Sequence, residues 1–479
     1  MKKVFVFCIG GTGERVMKSI TMLMAAGMST HGYTVVPIII DPHLDLNEKK
    51  NLQTLMLKYG EIQKSMLLDG KCPEGFFNSE MKLIDELDTV TNDTNKVAGE
   101  DRSYADFLDM GNLDVSSINN YLIHTLYSKD NLNSRLSVGF RGNPNVGTVV
   151  LQEMLEGASW FNFLKTQIGK DDRVFIISSI FGGTGASGYP LLERKIRSSK
   201  ENEILSKVLM GAVTVLPYYG LSDPKKSNSK IDSSNFKTKA KAALSYYEAT
   251  VKSDLLYYVG ETEMKTIHEN NEQKQEDTTN FVELVAATAL FHFLQQPRPQ
   301  QTQYLTRAIE ENVDDLDLST AGSGYAPMVK NMADMYILKS LLEILTKEKK
   351  FPLKKTRGFD DSFYKGSLSQ IREFLEEYGQ WYAELSQKKR KFAPIEKDII
   401  PTNMSNIIKN SVELGAPNDS YFLLEMIKES KNETPNKVRN FMEEPTLKSK
   451  ACLKCLYFTI IIFDLCRYLE YFSYLCTIN

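Results

Sequence analysis

Short apolar runs alternate with amphipathic stretches from residue 4 to residue 296 of the chain. Five of the runs are too brief for helices and stop near glycine, proline or a polar turn: 4–9, 33–40, 173–180, 209–216 and 255–259. Apolar residues recur at helical spacing in 15–27, 148–165, 189–197, 236–249 and 280–296. Short buried strands that alternate with helices are typical of βαβ units. The pattern therefore predicts an α/β fold with a parallel sheet and helices on both of its faces.

The pattern changes after Pro297 and Pro299. Residues 326–348 and 366–389 have helical periodicity with few β-branched runs, and 427–450 has the polar, charged composition of a connector. A chain of 479 residues is long enough for two or three domains. The predicted division is an α/β domain at 1–296, a connector at 297–325, a mainly helical C-terminal domain at 326–426, and a polar connector with a hydrophobic tail helix at 427–479.

The overall charge argues against a nucleic-acid partner. The net charge is −3, and the 25% of charged and 42% of apolar residues are ordinary for a globular protein. A basic footprint of the kind that binds nucleic acid is therefore not expected. The first apolar run stops at Gly10 and enters a charged helical pattern, which favours a buried strand over a signal peptide.

Four of the six cysteines lie in the last 28 residues. Cys452 and Cys455 have the spacing of a metal or redox pair, but no second pair follows at zinc distance. We therefore expect free thiols, no metal site and a reducing, cytoplasmic location. Three charged residues interrupt the apolar tail at 456–476, and its longest uncharged stretch is well below the ~20 residues of a membrane span. This favours a packed helix or an interface element over a membrane segment.

Three glycine-bearing segments stand where apolar runs end or where helical stretches begin: 8–15, 139–147 and 180–188. Glycine lets the backbone approach a ligand closely, and the N-terminus of the helix that follows offers unpaired N–H groups and a positive dipole end. Three such segments in one chain predict a site for the whole phosphate chain of a nucleotide. No Gly-Lys-Ser or Gly-Lys-Thr sequence is present, so the chain is not a P-loop enzyme.

Two of these segments resemble signatures of the tubulin/FtsZ superfamily of GTP-binding proteins. Gly182-Gly183-Thr184-Gly185 stands where that family has its glycine-rich signature, with Phe181 at the position of the first glycine and Ala186 at the Ser/Thr position. Segment 142–147, Gly-Asn-Pro-Asn-Val-Gly, is similar to the FtsZ loop that meets the γ-phosphate. The resemblance covers about residues 1–296 and indicates a divergent, bacterial tubulin-like protein rather than a cell-division protein.

The resemblance implies a site for GTP or GDP with Mg²⁺. The residues that it assigns to the nucleotide are Gly10, Gly11, Thr12, Gly13, Glu14, Asp41, Arg141, Gly142, Asn143, Pro144, Phe181, Gly182, Gly183, Thr184, Gly185, Ala186, Pro217, Glu276 and Asn280. Asn280 would read the guanine edge, and Asp41 would lie near the phosphates and contact Mg²⁺ through water, so no direct metal ligand is assigned. Glu276 stands where the family stacks an aromatic ring on the base.

Hydrolysis in this family is completed when the loop after the central helix brings acidic residues over the γ-phosphate of the neighbouring subunit. Asn312 and Asp314 are the candidates for this catalytic loop. Head-to-tail contacts of that kind give an open filament unless rotation closes a ring. The resemblance thus implies a cytoskeletal GTPase that self-associates into filaments, with protein partners that the sequence does not identify.

Other interpretations of the same residues remain open. Gly10 to Gly13 together with Asp41 also fit a Rossmann-type NAD(P)-binding oxidoreductase, in which Asp41 holds a ribose, but the other two glycine segments then have no role. A scaffold controlled by a nucleotide that it does not hydrolyse is a further alternative. Thr184 could simply cap a helix, and Asn312 and Asp314 could belong to a solvated acidic loop.

Overall fold

The chain divides into two compact units, one made of 1–21, 30–57 and 81–313 and the other of 22–29, 58–80 and 314–479. The computed structural model describes residues 2–42, 47–65, 75–83, 102–136, 140, 142–156, 158–221, 233–261, 266–268, 279–309, single positions between 328 and 339, and 367–385.

The first unit is built on a parallel sheet, which confirms the α/β fold expected from the sequence. The strands of the described residues are β1 (Lys2–Ile9), β2 (Tyr33–Ile40), β3 (Arg173–Ser179), β4 (Leu209–Val215), β5 (Tyr219–Leu221), β6 (Leu255–Glu261), β7 (Thr266–His268) and β8 (Gln303–Ile309). All except β5 and β7 form one six-stranded sheet in the order β2-β1-β3-β4-β6-β8, and each neighbouring pair is parallel. β5 and β7 form a separate parallel pair.

β1 and β2 are almost entirely apolar because both of their faces are covered. Every residue from Val4 to Ile9 in β1 is fully buried, and β2 is buried throughout. Phe7 of β1 contacts the ring of Trp160, and Phe175 of β3 contacts the ring of Phe293. Strands in such a position read as continuous apolar runs rather than as alternating ones.

Helices connect these strands. Up to residue 300 they are α1 (Gly10–Ala25), α2 (Asn47–Ser65), α3 (Tyr104–Phe107), α4 (Ile118–Leu126), α5 (Lys129–Leu132), α6 (Pro144–Glu156), α7 (Ser159–Gln167), α8 (Gly183–Arg197), α9 (Glu203–Ser206), α10 (Phe236–Thr250) and α11 (Phe281–Gln295). The helix predicted over 148–165 is in fact two helices, α6 and α7, because Ala158 adopts an extended backbone between them.

The sheet also continues into the segment predicted to be a connector. β8 pairs with β6 in register from Leu255 with Gln303 to Glu261 with Ile309. The sequence signal was weak because β8 is an edge strand with polar positions, and the Tyr304 side chain is largely exposed. The first unit therefore extends beyond the predicted limit at residue 296, while the division of the rest of the chain stays a prediction.

The second unit contains α12 (Ser367–Leu385), which lies within a stretch predicted to be helical. Phe374 of α12 contacts Phe77, with ring centroids 5.2 Å apart, and Lys58 pairs with Glu377 at 2.7 Å. This helix therefore packs against residues from the N-terminal part of the sequence, a contact that a linear division into domains does not predict. The tail predicted at 427–479 lies outside the described residues.

Candidate functional site

The strand order reverses between β1 and β3. From β1 the chain moves outward to β2, and on its return it adds β3, β4, β6 and β8 on the opposite side of β1. Ligands of open parallel sheets bind in the crevice outside the carboxyl ends of the strands at such a point. α1 begins at Gly10, directly after β1, and α8 begins at Gly183, shortly after β3 ends at Ser179. Two of the three glycine segments therefore border this crevice.

The N-termini of α1 and α8 lie side by side. Gly10 has a φ of +70°, a conformation that glycine adopts without strain, and a Cβ placed on it would lie 3.2 Å from the Cβ of Thr184. Gly182 precedes α8 in an extended conformation and offers no side-chain cap. The positive dipole ends of two helices thus lie together, and at least one of them has no side-chain cap. A bound anion can take the place of that cap.

The third glycine segment lies against the start of α8. A Cβ on Gly183 would lie 2.9 Å from the Cβ of Phe140, 3.0 Å from the amide nitrogen of Asn143 and 3.2 Å from that of Gly142. Gly142 has a φ of +72°, so it too occupies a conformation that favours glycine. The structure therefore brings 10–13, the described residues of the 140–143 turn (Phe140, Gly142 and Asn143) and 182–185 together at one rim of the sheet.

Two of the predicted phosphate-contacting glycines have a packing role. A Cβ on Gly13 would lie 2.7 Å from the carbonyl carbon of Cys8, and one on Gly185 would lie 2.5 Å from the carbonyl oxygen of Ser179. Both glycines are therefore required where the first turn of a helix packs against the backbone of its own preceding strand. This is why the predicted loops are in fact the first turns of α1 and α8.

Phe181 is part of the packing behind the crevice. Its side chain is buried, and its ring contacts those of Tyr218, Tyr219 and Phe236 at centroid distances of 6.0, 5.4 and 4.9 Å. The Phe181 side chain thus fills an aromatic cluster. Ala186, also buried, accepts a hydrogen bond on its carbonyl oxygen from the hydroxyl of Tyr247 at 3.2 Å.

A buried ionic network joins the start of α1 to the start of α11. Oε1 of Glu283 accepts hydrogen bonds from Nε of Arg15 at 2.7 Å and from the hydroxyl of Tyr218 at 2.5 Å. Oε2 of Glu283 accepts from the backbone N–H of Asn280 at 2.8 Å. The Asn280 side chain in turn accepts from the N–H of Val282 at 3.0 Å, which completes a capping box. Burial raises the pKa of Tyr218 well above its usual value, so its hydroxyl stays protonated and donates to the carboxylate.

Asn280 is predicted from the sequence as a site residue, but Glu283 and Arg15, which support it, are not. Asn280 followed three residues later by Glu283 is a helix-start signature, and it could have been found from the sequence. The contact of Glu283 with Arg15, 268 residues away along the chain, could not have been found in that way. The guanidinium of Arg15 also lies beside Gly11, since a Cβ there would be 3.5 Å from NH1. Arg15 thus brings a positive charge to the first turn of α1.

Acidic side chains lie at the same rim. Asp41 follows β2, whose last residue Ile40 pairs in register with Ile9, so Asp41 lies next to the start of α1. Asp41 and Glu14 are both buried. Burial and, second, the charge of Glu14 raise the pKa of the Cys8 thiol, which keeps it protonated.

A Mg²⁺ ion bound with nucleotide phosphates needs only one or two protein carboxylates, and Asp41 fits that role. Among the described residues, no group of three or more His, Cys, Asp or Glu side chains is arranged to hold a metal ion by itself. A magnesium ion would thus depend on the phosphates for most of its ligands.

Several predicted residues cannot be placed. Arg141, Glu276, Asn312 and Asp314 lie outside the described residues. The strand that precedes Asn312 and Asp314, β8, ends at Ile309 on the carboxyl rim of the sheet. Pro217, two residues after β4 ends, is half-buried, as is Pro144 at the start of α6. Thr12 is buried in the first turn of α1. No helix in the described part of the chain has the length and apolar character needed to cross a membrane.

The chain was compared with known proteins. No protein-family model matches it, and no curated protein does. Among solved structures it is similar to CetZ2 from Haloferax volcanii in a GTPγS-bound protofilament, with 12% identity, coverage of 54% of this chain and 49% of that one, and a TM-score of 0.25. It is also similar to CetZ from Methanosaeta thermophila, with 13% identity, coverage of 54% and 46%, and a TM-score of 0.28. The chain thus spans about half the length of these structures.

Proposed function

We propose that the chain binds GTP or GDP, together with Mg²⁺, at the rim between β1 and β3. The observation that carries this proposal is the meeting of two glycine-started helices and the 140–143 turn at the point where the strand order reverses. Two adjacent helix N-termini suit a chain of several phosphates better than a single anion. Mg²⁺ bound with the phosphates would neutralise part of their charge, and Asp41 would hold it through water.

The guanine end of the site is proposed at Asn280. The side-chain oxygen of Asn280 accepts from Val282 N–H, which fixes the orientation of its amide at the start of α11. The buried carboxylate of Glu283, held by Arg15 and Tyr218, fixes the backbone of Asn280 from the other side. A base-reading amide needs such a rigid support because a hydrogen bond discriminates between bases only when its geometry is fixed.

The NAD(P) alternative uses only part of this arrangement. A Rossmann dinucleotide site needs the first glycine helix and an acidic residue at the end of the second strand that is available to a ribose. The second glycine helix lies beside the first, and the 140–143 turn lies against the start of that second helix. A dinucleotide would leave those two elements without a role, so we favour a nucleoside triphosphate.

Isothermal titration calorimetry with GTP, GDP, ATP and NAD tests this choice. We expect binding of the guanine nucleotides in the presence of Mg²⁺ and no binding of NAD. Gly183→Val should abolish binding, because its side chain would displace the 140–143 turn from the start of α8. Gly111→Val is the matched control, since a Cβ on Gly111 meets nothing within 4 Å. Binding of NAD without GTP would establish the oxidoreductase alternative instead.

We further propose that bound GTP promotes self-association, and that hydrolysis depends on that association. Asn312 and Asp314 follow β8, which ends at the same rim of the sheet as the nucleotide site. An acidic residue placed over the γ-phosphate positions and polarises the attacking water. If a neighbouring subunit supplies it, the contact is head-to-tail and yields a filament unless it closes into a ring.

The dependence of the hydrolysis rate on protein concentration tests this second proposal. We expect the rate per subunit to rise with concentration, and Asp314→Ala to slow hydrolysis while nucleotide binding is kept. Light scattering and electron microscopy with GTP should then show polymer. A rate per subunit that is independent of concentration, with no polymer, would support the alternative of a nucleotide-controlled scaffold.

We also propose a cytoplasmic location for the protein. The absence of a basic footprint and the cysteine usage are consistent with that location.

A further inference from the structure

A lysine of α10 contacts the turn that leads into α6. Nζ of Lys239 donates a hydrogen bond to the carbonyl oxygen of Gly142 at 2.8 Å, across 97 residues of sequence. Gly142 belongs to the turn that lies against Gly183, at the start of α8. The contact therefore places an ammonium group beside the nucleotide site proposed above.

The backbone amides of Asn143 and of residues 145–147, at the start of α6, already have acceptors within the chain. The N–H of Asn143 donates to the carbonyl of Phe140 at 2.8 Å. The N–H groups of Asn145 and Val146 donate to Oδ1 of Asn143 at 3.1 and 3.4 Å. Gly147 donates to the carbonyl of Asn143 at 3.1 Å. The N-terminus of α6 is thus capped by its own asparagine, unlike that of α8, and it is less suited to hold a phosphate by its amides.

We propose that Lys239 is the positively charged group that recognises the terminal phosphate of the bound nucleotide. This inference rests on the proposed nucleotide site. The terminal phosphate carries the largest share of the negative charge of a nucleoside triphosphate, and an ammonium group is a compact point charge that binds phosphate well. Since the amides of residues 143 and 145–147 are occupied, the lysine supplies the attraction that the turn itself does not.

Lys239 is less exposed than the neighbouring lysines of α10. α10 buries Phe236 and Ala240, and Lys239 lies next to them on the inward side of the helix, half-buried. Lys237 and Lys241 are on the same helix but are exposed. These two lysines provide matched controls, because their replacement removes the same charge from the same helix without touching Gly142.

The test compares affinities for GTPγS and GDP by calorimetry in Mg²⁺. We expect Lys239→Gln to weaken GTPγS binding by about 10- to 100-fold, the effect of losing one hydrogen bond between charged groups, and to leave GDP binding within about threefold. Lys239→Arg should restore most of the loss because it keeps the charge. Lys237→Gln and Lys241→Gln should leave the ratio of the two affinities unchanged.

Three results would overturn the inference. One is an equal loss of GTPγS and GDP affinity in Lys239→Gln, which would mean that the lysine only tethers the turn. Another is an unchanged ratio in Lys239→Gln combined with a lost preference in Asn143→Ala or Arg141→Gln, which would assign the terminal phosphate to the turn. The third is an equal effect of the control lysines, which would indicate a general charge effect. Failure of the unmodified protein to bind any guanine nucleotide would instead refute the proposed function.

Discussion

Arg15 and Glu283 form a buried ion pair in which Nε and Oε1 are 2.7 Å apart and both side chains are at most 7% exposed. The pair connects α1, which follows the first strand, to α11, which follows the fifth strand of the sheet along the chain. Tyr218 and the backbone of Asn280 supply the remaining hydrogen bonds to the carboxylate. The carboxylate of Glu283 therefore supports both ends of the proposed nucleotide site, the phosphate end at α1 and the guanine end at Asn280.

Arg15→Gln should destabilise the protein by about 3–5 kcal/mol, because it leaves the Glu283 carboxylate buried without a cation. Urea unfolding followed by circular dichroism measures the change. Glu203→Gln is the control, since the Glu203–Lys207 pair is exposed and its loss should not be measurable. Equal midpoints for Arg15→Gln and the unmodified protein would show that the pair contributes no stability.

Two neighbouring glycines of α1 should respond in opposite ways to alanine. Gly13→Ala should cost about 1–3 kcal/mol because its Cβ would meet backbone atoms of Cys8 and Ile177, which cannot move aside. Gly11→Ala should be neutral or stabilising by up to about 1 kcal/mol, since the nearest atom is 3.5 Å away and alanine favours helix. Thermal or urea unfolding of both variants measures this difference, and a similar loss in both would refute the packing role of Gly13.

Asn280 has two separable roles. Asn280→Ala should lower stability by about 1 kcal/mol through loss of the helix cap, and it should also remove the preference for guanine. Asn280→Ser keeps an oxygen that can accept from Val282 N–H, so stability should be retained while the preference for GTP over ATP is lost. Unfolding midpoints together with nucleotide affinities separate the two effects. A guanine preference that survives in Asn280→Ser would assign base reading to another residue.

Stability should fall as the pH rises above about 10. Burial raises the pKa of Tyr189, Tyr218 and Tyr247, and raises that of Tyr258 to about 12. A raised folded-state pKa favours the protonated form, so the contribution is fully present below the unfolded pKa and is lost as the pH rises through the window between the two values. Urea midpoints from pH 8 to 11 should decline only above about pH 10.

The ultraviolet absorbance of tyrosinate gives an independent check of the predicted loss of stability at high pH. The buried phenols should ionise together with unfolding rather than before it. Tyr247→Phe should reduce the pH dependence, because one buried phenol is removed. Smooth ionisation of all tyrosines near pH 10 in a folded protein would contradict the prediction.

The sequence by itself determined five strands of the sheet and the glycine segments of the candidate site. The five apolar runs are strands because a segment that is too short for a helix and has no polar face can be buried only inside a sheet. The three glycine segments could be recognised because glycine at a strand end or helix start has a local meaning that does not depend on the rest of the fold. The β8 strand could not be recognised, because its sequence mixes polar and apolar residues and contains no continuous apolar run.

Only the tertiary structure decided which residues meet. The strand order placed β3 beside β1, and so brought Thr184, in the first turn of α8, to Gly10 at the start of α1. The same order paired Arg15 with Glu283 across 268 residues. It also brought the ammonium group of Lys239 to the carbonyl oxygen of Gly142, 97 residues away along the chain. Local sequence patterns record which face of an element is apolar, but a contact between distant charged residues depends on the path of the chain between them, and that path is fixed only when the whole sheet has formed.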